Sequence, residues 1–137
     1  MRFPAKPLPT DSQRPAVPRV LIVEDDDTTA MALEYLLMRE GLLPDRVATG
    51  PEALPRIRAT HPDLVVLDGM LPELSGHDIC RDLRLDPALA GVRVLMMTTR
   101  GSSAERRRAL DDGADALIVK PFDLKELRAE VRRLLAL

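Results

Sequence analysis

The chain has 137 residues, of which 45% are hydrophobic and 31% charged, and its formal net charge is −2. That length suits one domain with a sizeable core, and the charge balance gives no electrostatic case for nucleic acid or an anionic membrane as a partner. The lone Cys80 excludes an intrachain disulfide or multi-cysteine zinc site, and without a membrane-length apolar run or signal-peptide core the cytoplasm is the expected compartment.

Residues 1–18 hold five of the twelve prolines (Pro4, Pro7, Pro9, Pro15 and Pro18) and little apolar periodicity. They read as an extended N-terminal arm, with a proline-rich docking peptide as the functional alternative. The aromatics Phe3, Tyr35 and Phe122 are too few for a base-stacking platform. From Arg19 onward strands and helices alternate. Val20 to Val23 is a β-branched apolar run ending in Glu24-Asp25-Asp26-Asp27. Thr28 to Glu40 has helical spacing, with Ala30, Leu33 and Leu37 on one face and Gly41 as the stop. Asp26 and Asp27 suit its N-terminal cap and dipole.

Asp45 to Thr49 is a weaker strand just after Pro44, and proline there suits a sheet edge. Gly50-Pro51 opens the next helix, with Pro51 as its first residue and Pro55 distorting its start. Leu64 to Leu67 is a run suited to a strand buried on both faces, stopped by Asp68, Gly69 and Pro72. Ser75-Gly76 leads into a helix with Ile79, Cys80 and Leu83 inward. Val92 to Met97 is the fourth strand, ending at Thr98-Thr99. A helix from Ser103 to Asp112 carries Arg106, Arg107 and Arg108 on a solvated face. Ala116 to Val119 is the fifth strand, ending on Lys120-Pro121. The last helix, Asp123 to Leu135, shows an apolar stripe of Leu124, Leu127, Val131 and Leu134. His61 and His77 read as loop or helix-start residues. The alternation predicts an α/β fold, a doubly wound five-stranded parallel sheet with helices on both faces.

Glu24, Asp25, Asp68, Thr98 and Lys120 each follow the carboxyl end of a predicted strand. Where those strands are neighbours, the five side chains converge on one crevice, the place open α/β sheets use for ligands. Three carboxylates offer hard oxygen ligands for Mg²⁺. A cation and a hydroxyl beside them suit the oxygens of a phosphoryl group. The chemistry this suggests is metal-assisted phosphoryl transfer onto a carboxylate.

VLIVEDD, DLVVLDGMLPELSG, VLMMTT and GADALIVKPF, in this order and spacing, resemble the receiver domain of bacterial two-component response regulators. The resemblance covers residues 19–137 and leaves out only the arm. It implies the flavodoxin-like strand order 2-1-3-4-5. It also implies that Asp68 is the phosphoacceptor and that Glu24 and Asp25 are the acidic pair, with Asp25 the direct Mg²⁺ ligand. Met70 would offer a backbone carbonyl to the ion, Thr98 would be the switch hydroxyl, and Lys120 would bind phosphate ahead of a cis Pro121. The implied donor is a phosphohistidine on a sensor histidine kinase or a histidine phosphotransfer protein. The implied output is a protein target on the face made by the fourth helix, fifth strand and fifth helix; a homodimer is compatible with it. No DNA-binding module or catalytic output domain is legible, so the chain itself is not expected to bind nucleic acid.

Two positions depart from the family pattern. Leu117 stands three residues before the lysine, where an aromatic is usual, and the β-branched Thr99 follows the switch hydroxyl, where a small residue is usual. Both bear on the switch rather than on the phosphoryl chemistry, and they favour as second reading a pseudo-receiver that only binds partners. A third reading is a haloacid-dehalogenase-like phosphatase, since Asp25-Asp26-Asp27-Thr28-Thr29 fits DxDxT. It lacks an acidic pair at a strand end after Lys120 and leaves Asp68 without a role.

Overall fold

The computed structural model describes residues 17–137, so all but the last two residues of the arm expected over 1–18 lie outside the described residues. The elements are β1 (Arg19–Val23), α1 (Asp27–Arg39), β2 (Leu43–Val47), α2 (Ala53–Thr60), β3 (Leu64–Asp68), α3 (Gly76–Leu85), a short 3₁₀ turn (Pro87–Leu89), β4 (Arg93–Thr98), α4 (Ser103–Asp111), β5 (Ala116–Val119) and α5 (Leu124–Leu134). All neighbouring strands pair in parallel, in the order β2-β1-β3-β4-β5. The expected fold class and strand order are both observed.

Strand alternation divides the core in two. Leu21, Val23, Val65, Leu67, Val94, Met96 and Leu117 face the layer of α2, α3 and α4. Val20, Ile22, Leu64, Val66, Leu95, Met97 and Ile118 face α1 and α5. β3 is the central strand and all five of its residues are buried, as its unbroken apolar run requires. Across the sheet that burial is the main stabilising term, about 1.5–3 kcal/mol for each fully buried Leu, Ile or Val.

Three local readings change. β2 starts at Leu43, two residues early, and takes in Pro44, which pairs with Val20. It is an edge strand, and Leu43 donates its N–H to Pro18 C=O, so the nitrogen of Pro44 is turned to the open edge, where no donor is needed. α2 starts at Ala53 rather than Pro51. Pro55 then falls in the first turn, where a missing N–H leaves no helix bond unmade. On α5, Leu127 and Val131 are buried, but Leu124 at its first position is 55% exposed. Ala30, Leu33 and Leu37 of α1 and Ile79, Cys80 and Leu83 of α3 are buried as expected.

Candidate functional site

The carboxyl ends of β1, β3, β4 and β5 bring the acidic turn, Asp68, Thr98 and Lys120 into one crevice, because these strands are adjacent in the sheet. Among the described residues, carboxylate oxygens of Glu24, Asp25 and Asp68 all lie within 4.8 Å of one another. Two oxygens on opposite sides of an octahedral Mg²⁺ stand about 4.2 Å apart. The cluster therefore needs little adjustment to share such an ion, and a divalent cation relieves the repulsion of its like charges. Glu24 and Asp68 are buried, whereas Asp25 is exposed.

Asp68 divides its two oxygens between different tasks. Oδ1 accepts the Met70 N–H at 2.9 Å, which fixes the carboxylate plane. Oδ2 is 3.5 Å from Lys120 Nζ. The lysine is held more closely by Glu24, at 2.6 Å from Oε1. The other Glu24 oxygen accepts the Asp26 N–H at 3.1 Å. Burial pushes the Glu24 carboxyl above its ordinary range and the Asp68 charge adds to this, while the bonds from Lys120 and Asp26 pull against it. Burial alone would lower Lys120, but Glu24 and Asp68 outweigh it and hold the ammonium above its usual value.

Thr98 is buried at the end of β4, with Oγ1 accepting the Arg100 N–H at 3.0 Å. Its neighbour Thr99 is exposed and donates from Oγ1 to Met70 Sδ at 3.4 Å. The Lys120–Pro121 bond is cis, as expected. Asp26 caps α1, accepting the Thr29 N–H at 2.8 Å, and Arg106, Arg107 and Arg108 are exposed. Leu117 is only 5% exposed, buried in the same core cluster as Met96 and Ala109.

Several supporting residues were not expected. Arg46 of β2 donates from Nε and Nη2 to Glu24 C=O at 3.0 and 2.8 Å, and from Nη1 to Asp27 at 2.8 Å, so it fastens the acidic turn from the sheet edge. A β-carbon on Gly76 would lie 2.5 Å from Asp68 O and 2.7 Å from Gly69 Cα, so glycine alone lets α3 begin against the Asp68 backbone. His77, read as a loop or helix-start residue, is the second residue of α3 and is buried between Asp112 and Glu105 of α4. Asp111-Asp112 is the available acidic pair for the phosphatase reading, yet Asp112 bonds His77 and Arg81 of α3 instead.

The family model for the response regulator receiver domain matches residues 20–132. The chain is 41% identical over 119 residues to the phosphate regulon transcriptional regulatory protein PhoB of Rhizobium meliloti, covering 87% of this chain and 52% of that one. It is 42% identical over 114 residues to the DNA-binding response regulator MtrA of Mycobacterium tuberculosis, covering 83% of this chain and 49% of that one. The chain thus spans about half the length of these curated relatives. Among solved structures it is similar to the signal receiver domain of a signal transduction histidine kinase from Syntrophus aciditrophicus, with TM-score 0.81 and 35% identity over 88% of this chain and 91% of that one. It is also similar to the receiver domain of the sensor histidine kinase PA1611 from Pseudomonas aeruginosa, with a magnesium ion coordinated in the active site cleft. There the TM-score is 0.80 and the identity 25%, over 89% of this chain and all of that one.

Proposed function

Because the chain belongs to the response regulator receiver domain family, we propose that it accepts a phosphoryl group on Asp68, from a phosphohistidine of a sensor histidine kinase or a histidine phosphotransfer protein. The observation that carries the reading is the buried Asp68, with one oxygen fixed by Met70 N–H and the other facing the Lys120 ammonium at 3.5 Å. The Asp68 carboxylate attacks phosphorus, and the P–N bond to the donor imidazole breaks. The imidazole keeps the electron pair and picks up a proton from solvent.

Glu24, Asp25, Asp68 and the Met70 carbonyl would hold Mg²⁺, whose bound charge neutralises phosphoryl oxygens in such transfers. Lys120 turns from Glu24 toward the phosphoryl oxygens. Thr98 gives up its bond with Arg100 N–H and donates its hydroxyl to the same group. Arg46 keeps the acidic turn in place throughout. The chain catalyses its own phosphorylation and hydrolysis and is not otherwise an enzyme in this reading. Its output passes to a protein target over the face of α4, β5 and α5, in the cytoplasm. Among the described residues, no helix is long and apolar enough to cross a membrane.

Intact-mass measurement after incubation with a small acyl phosphate and Mg²⁺ tests this. One added phosphoryl group is expected, absent in Asp68→Asn. No adduct on the wild type would favour a pseudo-receiver, and an adduct persisting in the variant would move the acceptor elsewhere.

A further inference from the structure

His77 sits at the second position of α3 with its side chain only 4% exposed. Nδ1 lies 2.8 Å from Asp112 Oδ2 and Nε2 lies 2.9 Å from Glu105 Oε1, both on or at the end of α4. A neutral imidazole has one N–H and one lone pair, so it can donate to one of these acceptors only. Its other nitrogen would then set a lone pair against a carboxylate lone pair at hydrogen-bond distance. Two good bonds need one more proton, and the ring is the basic member of the three. The geometry is that of an imidazolium between two carboxylates.

The other charges nearby belong to the same two helices and the loop between β4 and α4. Arg81 of α3 reaches Asp112 Oδ1 at 3.2 Å and also pairs with Asp78. Arg108 of α4 approaches Asp112 at 3.9 Å, and Arg100 lines the cleft shared by His77, Glu105 and Arg108. The Arg81 and Arg108 side chains are 50% and 57% exposed, so water screens them as it cannot screen His77.

The position of this triad connects it to the phosphoacceptor. Its cleft is lined as well by Gly69, Met70 and Leu71, which follow Asp68 directly. Gly76, the residue before His77, is the one pressed against Asp68 and Gly69. On the far side, Arg100 N–H holds Thr98 Oγ1 and α4 begins at Ser103. His77 thus ties the helix after the Asp68 loop to the helix after the Thr98 loop.

We propose that His77, Glu105 and Asp112 form a proton-dependent latch, which holds α4 against α3 in the unphosphorylated protein and opposes the movement of the segment between β4 and α4. The opposing role rests on the phosphoacceptor reading above; the latch itself does not. The latch is closed while the ring holds both protons. Loss of one of them leaves a carboxylate facing a lone pair and loosens α4.

The test uses unphosphorylated protein without Mg²⁺, so a failed latch leaves the Asp68 reading intact, and a missing phosphoryl adduct leaves the latch intact. Nitrogen-15 NMR should find both ring nitrogens of His77 protonated on the acid side. Hydrogen-exchange protection factors, which divide out the intrinsic effect of pH, should fall about tenfold for amides 103–112 as the ring loses a proton. Those of α5 should not follow. In Glu105→Gln the amide N–H can donate to the neutral ring nitrogen, so α4 protection should persist and lose its pH dependence. In His77→Gln protection should be roughly tenfold lower at every pH. A ring with one protonated nitrogen throughout, or α4 protection that follows pH equally in Glu105→Gln, would overturn the proposal.

Discussion

The Lys120 ammonium is bonded to Glu24, with Nζ 2.6 Å from Oε1. In this arrangement a buried carboxylate holds the cation that the proposed phosphoryl site would use, while Asp68 stands 3.5 Å from the same nitrogen. A lysine so placed needs only a small swing to reach a group on Asp68 Oδ2. Removing it takes one preorganised positive charge from the phosphoryl group. Lys120→Met should therefore slow phosphorylation by a small acyl phosphate by about a hundredfold. Time-resolved intact mass would measure this, and a rate within a few-fold of the wild type would deny Lys120 the role.

Three carboxylates with oxygens within 4.8 Å of one another repel, and among the described residues a single ammonium, that of Lys120, faces them. A divalent cation bound by the folded chain alone should stabilise it, by about 2.7 kcal/mol at a hundredfold excess over the dissociation constant. Mg²⁺ should therefore raise the melting temperature by several degrees, and chelation should reverse the rise. Asp25→Asn should abolish most of it. Because Asp25 is exposed, that variant should fold normally. An undiminished rise in the variant would place the ion elsewhere.

A second charged site tests stability apart from the crevice. Glu40, at the end of α1, meets Arg128 at 2.8 Å and Arg132 at 3.1 Å, both on α5. Burial works to raise its carboxyl, but the Arg132 and Arg128 bonds and charges outweigh it and hold it below the usual range. A carboxyl depressed in the folded state contributes stability above its unfolded value and loses it as pH falls through the folded one. The arginines are about half exposed, so screening limits the effect to about 0.5–1 kcal/mol. Urea unfolding of wild type and Glu40→Gln should differ by that amount near neutrality and converge in acid. A gap that persists in acid would mean packing rather than charge.

The parts of this molecule legible in its sequence are those set by short-range patterns. The run Leu64 to Leu67 read as a strand covered on both faces because such a strand buries every side chain in sequence. Asp68 and Lys120 were legible as strand ends, and the resemblance supplied their roles. Boundaries were less legible where proline was involved, since a missing N–H is harmless at an open edge, as at Pro44, or in a first helical turn, as at Pro55. Leu124 carried the right period yet is exposed, at the rim of a surface groove it shares with Tyr35 and Arg39 of α1. Arg46 and His77 were missed because their partners are distant in sequence. One signal was available: Glu105 and Asp112 are seven apart, and so share a face of α4.

Leu117 carries the last prediction. In receivers with an aromatic here, the ring moves inward when the switch hydroxyl moves toward the phosphoryl group, as the family resemblance implies. Leu117 is already inside, 5% exposed and paired in register with Met96. It has no outward position to leave, so movement of Thr98 has little to draw after it. Coupling between the Asp68 site and the face of α4, β5 and α5 should be correspondingly weak, since a bound group shifts a population only by its differential affinity for the two states. Leu117→Tyr cannot keep its ring wholly in this space without overpacking that costs about 1–3 kcal/mol, so the ring should sit outward at rest. Backbone amide shifts on adding beryllofluoride and Mg²⁺ should be small over residues 103–135 in the wild type and larger in Leu117→Tyr. Leu117→Ala should instead lose about 2–5 kcal/mol of stability by leaving a cavity, with no gain in coupling. Large shifts already present in the wild type would show that leucine transmits the signal as well as a ring does.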